Sequence, residues 1–236
     1  MNYPDDCLQN IVSNGDWWIK SENMKVSRGD LIWAFVPHVD QVPYVFTPIG
    51  RDVATEHSKA IVKVEPLTVG SPLKQSDLPV AAMPLHKNEV WSAHRAKKRP
   101  CVVLSVESLP VDKELIKGKA NHSTAPTYIV APYYGVDAGS KRAGYSEAFT
   151  ERVRHCEYSQ FLWDKLPLNG ADESILRFDH LMPIGAHYNS YKQTGYRLSQ
   201  EALAVLDDYL LWHLHGGVPE ESVILEYREL INECFE

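Results

Sequence analysis

Several things are scarce in this chain, and each scarcity removes a class of protein. No apolar run approaches the ~20 residues that cross a bilayer, so no membrane-spanning helix is expected. The opening Met-Asn-Tyr-Pro-Asp-Asp is acidic and lacks the basic start and apolar stretch of a secretory signal. The four cysteines, Cys7, Cys101, Cys156 and Cys234, are scattered and form no C-x-x-C pair. That usage fits a reducing cytoplasm. Phosphate-cradling glycine loops and Gly-x-Ser-x-Gly elbows are missing. Positive charge is also short. A net charge of −7 argues against a protein that coats nucleic acid indiscriminately. A local basic groove remains compatible with it, because an active site neutralises only a few phosphates.

What remains is an ordinary soluble globular composition, with 44% hydrophobic and 23% charged residues. At 236 residues the chain predicts one core carrying a sizeable insertion. Residues 1–26, with Trp17-Trp18 and the turn pair Asn14-Gly15, read as a short helical or irregular cap. Gly29-Asp30 then turns the chain into Leu31-Ile32-Trp33-Ala34-Phe35-Val36, a run of strand formers ended by Pro37. Trp33, inside that run, is expected in the core.

From His38 to Trp91 the character changes. With prolines at 37, 43, 48, 66, 72, 79 and 84, no long helix can form. Brief strands are expected at Ala60–Val64 and Val80–Met83, with a helical turn or two at 52–59. The region is too apolar for a disordered linker and reads as an insertion (38–91) between the first two core strands. Strand signals return at Cys101–Val106 and Thr127–Pro132, separated by a polar excursion and followed by a turn-rich loop at 135–143. Residues 151–161 fit a strand pair or a helix, and 175–184 a kinked strand. Ser199 caps a helix carrying Leu203, Leu206, Leu210, Leu211 and Leu214, which Gly216-Gly217 stops. Pro219 at the first helical position opens a second, a C-terminal helical extension over 218–236, with Val223, Leu225, Tyr227, Leu230 and Ile231 as packing residues.

The densest chemical signal is Lys97-Lys98-Arg99-Pro100-Cys101-Val102-Val103-Leu104-Ser105. His94, Arg95, Lys97, Lys98 and Arg99 gather cations at the mouth of a strand, and Pro100 fits the strand's first position, where no ladder donor is needed. Arg99 would then be held at a rigid entrance, where a planar, permanently charged fork can clamp a phosphate. A solvated loop would carry the same charge run.

Taken in order, five segments resemble the PemK/MazF toxin family. They are Arg28-Gly29-Asp30-Leu31-Ile32-Trp33, Lys98-Arg99-Pro100-Cys101-Val102-Val103-Leu104-Ser105, Tyr128-Ile129-Val130-Ala131-Pro132, Ser174-Ile175-Leu176-Arg177-Phe178-Asp179-His180-Leu181, and Tyr196-Arg197-Leu198-Ser199 with its helix. The resemblance implies a mainly β fold with α, an SH3-like (PemK/MazF/CcdB-type) small barrel with a C-terminal helix. It implies a metal-independent endoribonuclease, without cofactor, that is often dimeric and held by an antitoxin protein. Arg99 matches the family's catalytic arginine before the proline. The family's Thr or Ser after the third segment falls near Tyr134 here, its usual glutamine after the aspartate is His180, and its short first loop is the long insertion.

Metal-independent RNA cleavage requires a 2′-hydroxyl to lose a proton, a phosphorane to be stabilised and the 5′-oxygen to regain a proton. A guanidinium suits the second task, so Arg99 is assigned there with Tyr134 as a hydrogen-bond donor. Arginine is a poor base, and the proton-transfer candidates are His94 and His180. Arg95, Lys97, Lys98 and Tyr133 are expected to contact single-stranded RNA, with Trp33, Tyr133 and Tyr134 as stacking surfaces. No metal site is expected: His213 and His215 are two apart on a helix and face different ways. Asp207-Asp208 read as a solvated helix face, and Cys101 and Ser105 lack any activating cue. A barrel retained as a non-catalytic protein- or nucleic-acid-binding module stays open beside the nuclease, as does an insertion acting as a built-in inhibitor.

Overall fold

The computed structural model describes residues 3–13, 16–53, 55–56, 59–68, 89–106, 111–119, 126–136, 144–169, 173–187 and 189–235. In chain order the elements begin α1 (Leu8–Ser13), β1 (Trp18–Lys20), β2 (Asp30–Pro37), β3 (Tyr44–Arg51), β4 (Ala60–Pro66), β5 (Trp91–Ala93) and β6 (Ala96–Ser105). They continue α2 (Lys113–Ile116), β7 (Thr127–Gly135), α3 (Glu147–Arg154), β8 (Phe161–Asp164) and β9 (Ser174–Arg177). A 3-10 turn (Phe178–His180) leads to β10 (Met182–Gly185), β11 (Tyr191–Leu198), α4 (Gln200–His215) and α5 (Val223–Glu233). The fold is therefore mainly β with α. None of the described helices is long and apolar enough to cross a membrane.

The chain divides into two compact units, one of Met1–Phe35 with Lys98–Glu236, the other Val36–Lys97. In the first, strands pair in the order β1-β11-β2-β6-β7-β9-β8, with β10 also on β7. Among the described residues this is an open path, and no pairing joins β1 to β8. The second unit holds the sheet β4-β3-β5, antiparallel throughout.

The core of the first unit follows from side-chain period. On α4, Ala202, Leu203, Val205, Leu206 and Tyr209 recur at steps of three and four and are all buried, against Leu31, Val102, Tyr133, Leu176 and Phe178 in one cluster. Truncating a fully buried leucine such as Leu206 costs about 2–5 kcal/mol. Gly29, at φ +86°, lies where β2, β6 and α4 meet: its N–H donates to the Val103 carbonyl, and a Cβ there would sit 2.9 Å from Leu203 Cδ2. Beside it the Arg28 guanidinium grips Asp207 with two bonds and donates through Nε to the Leu104 carbonyl at 2.9 Å. Ser199 caps α4 by accepting from the Ala202 N–H, and Gly216, at φ +78°, ends it.

Several expectations are corrected. Asp207 and Asp208 are not a free solvated face, since the first pairs with Arg28 and the second accepts from the Ser222 hydroxyl. Pro219 does not open α5; Ser222 does, its oxygen accepting from the Ile224 N–H, with Ile224, Tyr227 and Ile231 as the buried face and Leu230 left 53% exposed. Leu211 and Leu214 lie off the α4 stripe and are exposed. Pro100 sits inside β6 rather than at its start, ahead of Cys101, where the pairing with β7 begins. The cap expected before residue 26 contains a strand, β1, on the free edge of β11. In the second unit the turns expected at 52–59 are present, with the Glu56 N–H on the Val53 carbonyl and the Lys59 N–H on the Glu56 carbonyl, and Asp52 N–H to the Lys59 carbonyl closes the β3–β4 hairpin; residues 80–83 lie outside the described ones.

Candidate active site

The arrangement begins with strand register. The β6–β7 pairing begins with Cys101 opposite Pro132, and β6 continues back beyond it to Arg99, whose side chain reaches the Tyr134 ring. On the other edge of β7, Tyr134 is opposite Ile175 of β9. β7 runs past Pro132 to Gly135, so Tyr133 and Tyr134 are strand residues pointing to opposite faces. Tyr133 is 1% exposed and Tyr134 half-buried.

On the Tyr134 side, cations and a phenol are brought together. The Arg99 guanidinium carbon lies 3.8 Å from the Tyr134 ring centroid, and that of Arg177, at the end of β9, 5.4 Å from it. The Tyr134 hydroxyl is 2.7 Å from His180 Nδ1, and Arg177 Nη2 is 2.9 Å from His180 Nε2. Arg177 also forks onto Asp179, donating from Nε at 2.7 Å and from Nη2 at 2.5 Å. Phe161 carries the Arg177 guanidinium on its ring at 5.0 Å. Among the described residues Arg99 has no carboxylate partner.

Electrostatics follow the geometry. Burial pushes the Tyr134 phenol up, against the pull of Arg99 and Arg177 toward ionisation, so it stays a neutral hydroxyl. Burial would raise Asp179, but the bonds from Arg177 outweigh it and hold the carboxyl below its usual range. Arg177 moves the opposite way and is raised: bonds to Asp179 and Tyr145 overcome its desolvation. Cys101, close in sequence, is fully buried, and burial pushes its thiol up to about 12, which leaves no nucleophilic thiolate.

Of the site residues expected from sequence, the structure brings together Arg99, Tyr134 and His180. Lys98 is exposed, its ammonium 5.3 Å from the centroid of the half-buried Trp33 ring. Trp33 is thus a partly open platform rather than a core residue. Tyr133 is no stacking surface: the alternation of β7 turns it inward, where its hydroxyl donates to Asp164 at 2.8 Å. His94, Arg95 and Lys97 belong to the other unit and are exposed there. His94 Nε2 is 3.4 Å from Ser92 Oγ, and His94 and Arg95 edge an open cavity of about 680 Å³ with Tyr44 and Phe46. Among the described residues no three His, Cys, Asp or Glu side chains are placed to hold a metal ion.

Sequence reasoning missed Arg177. The available signal was an arginine two residues before an aspartate at the end of an apolar strand, inside a segment already singled out. No protein-family model matches the chain, and no curated protein matches it in sequence.

Proposed function

We propose that this chain is a metal-independent endoribonuclease of the PemK/MazF toxin type, cutting single-stranded RNA from an SH3-like barrel of the PemK/MazF/CcdB kind. The observation that carries the reading is the seat of Arg99. Its guanidinium lies on the Tyr134 ring, a second guanidinium lies near the same ring, and no described carboxylate neutralises it. Fixed cations beside a neutral phenol form a receptor for a phosphodiester, and half-burial strengthens their field on developing charge. In the reaction the 2′-oxygen gives up its proton to solvent water and attacks phosphorus. The bond to the 5′-oxygen then breaks and that oxygen takes a proton from water, leaving a 2′,3′-cyclic phosphate and a 5′-hydroxyl. Arg99 stabilises the phosphorane, with Tyr134 as a neighbouring donor. A cytoplasmic setting, an antitoxin partner and a homodimer belong to the same proposal.

The test is incubation of wild type and Arg99→Ala with a long single-stranded RNA in EDTA. Fragments from wild type alone are expected. Equal cleavage by the variant overturns the role of Arg99, and intact RNA with both, at retained circular dichroism, overturns the nuclease. A non-catalytic binding module is the second reading. It is favoured by tyrosine standing where the family has a small hydroxyl residue, and by the commitment of Asp179 to Arg177. Retarded but uncut RNA at high protein concentration is its signature.

A further inference from the structure

His180 is held at both ring nitrogens by groups of different chemistry, and this fixes its proton. A guanidinium can only donate, so Arg177 Nη2 at 2.9 Å requires a lone pair on His180 Nε2. The proton of the neutral ring then resides on Nδ1, which donates to the Tyr134 oxygen 2.7 Å away. Placing a proton on Nε2 would set donor against donor at Arg177, and the Asp179 carboxylate, 4.0 Å from Nε2, is too distant to accept it. Because the Tyr134 oxygen accepts from His180, its own hydrogen must point elsewhere. Arg99 lies on the Tyr134 ring, while Arg177 is paired with Asp179, so the guanidinium open to an incoming anion beside that hydrogen is Arg99.

Resting on the nuclease reading, we infer that His180 is a positioning residue rather than a proton-transfer group: locked by Arg177 as the Nδ1–H tautomer, it turns the Tyr134 hydroxyl into a hydrogen-bond donor for a non-bridging phosphoryl oxygen. The charged and titratable groups around this pair include Arg99, Arg177, Asp179 and Tyr145. This replaces the sequence-based role of His180 in moving a proton, and it assigns Tyr134 the direction of its bond. Burial, which keeps the phenol protonated, is in accord.

The first experiment needs no cleavage. Long-range ¹⁵N–¹H spectra of histidine-labelled full-length protein at pH 7, with the His180 signals identified by their loss in His180→Ala, read the tautomer directly. A neutral ring with protonated Nδ1 is expected, and Arg177→Met should move the proton to Nε2. An Nε2–H tautomer or an imidazolium in the wild type overturns the inference, as does an unchanged tautomer in a folded Arg177→Met. A 2′-O-methyl oligonucleotide, which cannot be cut by this route, should shift the Tyr134 ring resonances in wild type and less in His180→Ala. Equal shifts count against the lock.

If wild type cuts RNA, His180→Asn, which can keep a donor near the Nδ1 position, should be about tenfold faster than His180→Ala. Its kcat/KM–pH profile should keep the wild-type shape. A limb of that profile that vanishes in His180→Asn would make His180 a proton-transfer residue and sink the proposal. If wild type cuts nothing, the nuclease reading fails, while the tautomer and the oligonucleotide shifts still decide the role of His180.

Discussion

Tyr133 and Tyr134 are neighbours on one strand, and the two faces of β7 treat them in opposite ways. Tyr133 is closed in the core: its hydroxyl donates to Asp164, which also accepts from Trp18 Nε1 at 3.1 Å. That carboxyl is 1% exposed, and burial, only partly offset by the bonds from Tyr133 and Trp18, raises it to about 6. Tyr134 stands half-buried among cations, its hydroxyl on a histidine. One face joins phenol to acid where no ligand reaches. The other joins phenol to guanidinium at a surface. A one-residue step along a strand thus separates a hydrogen-bond network that serves the fold from one suited to binding an anion.

Arg99→Ala should break the comparison most strongly. If the proposed nuclease reading holds, loss of this guanidinium is expected to lower RNA cleavage by about 10²–10³-fold. The urea unfolding midpoint should hardly move, because this arginine anchors no described carboxylate and is half-buried. A large stability loss together with the activity loss would mean that the Tyr134 face is structural as well.

Asp164 supplies the next effect, on the buried face. Its folded pKa of about 6 lies above the unfolded carboxylate value of 3.8, so the folded state binds the proton more tightly. The associated stability is complete below the unfolded pKa and is lost as pH rises from about 4 through about 6, on the order of 3 kcal/mol by linkage. His155 works in the other direction. Its side chain is buried between Tyr3 and Tyr227, with Glu151 and Arg154 nearby, and desolvation lowers its pKa. Stability tied to it is present above the unfolded histidine value of 6.5 and falls as pH drops below it. The two slopes oppose each other between about pH 4 and 6.5. Asp164→Asn removes one of them, since the amide cannot titrate and the Tyr133 hydroxyl can turn from donor to acceptor. Denaturant melts across that range should show stability falling more steeply toward acid in the variant than in wild type. Identical pH profiles would show that Asp164 does not titrate as its burial requires.

The sequence carried the fold further than it carried the site. The strand around Leu31 was legible because Gly29-Asp30 and Pro37 bracket an apolar run, and α4 because its cap, stop and apolar spacing agree with one another. Leu211 and Leu214 misled because a count of leucines ignores angle. At 100° per residue, Leu211 falls opposite the buried Ala202. Arg99 was legible from its charge knot and its proline. Arg177 was not, because its place beside Tyr134 depends on β9 pairing with β7, a register between segments some forty residues apart. Nor could adjacency in sequence reveal that Lys97 and Lys98 belong to different units. Tyr133 was misread for a simpler reason: ending the strand at Pro132 hides the alternation that sends one tyrosine inward and the next outward.

Removing each phenol in turn gives the smallest but cleanest contrast between the two faces. Tyr133→Phe leaves a fully buried carboxyl oxygen without its donor at 2.8 Å, and the cost of an unsatisfied buried acceptor is about 1–3 kcal/mol. Tyr134→Phe deletes a hydroxyl where solvent can take over its bonds, and its ring still carries Arg99, so less than about 1 kcal/mol is expected. If the proposed nuclease reading holds, cleavage should order the pair the other way, slowed by Tyr134→Phe and little changed by Tyr133→Phe under conditions where both remain folded. The double variant decides whether the faces are independent. The Tyr133 side chain packs with Leu176 and Phe178, while Tyr134 bonds to the turn those residues lead into. If the stability losses sum to within about 0.5 kcal/mol, β7 insulates the site from the core. A larger interaction energy would mean that the Phe178–His180 turn transmits strain from the buried acid to the cationic face.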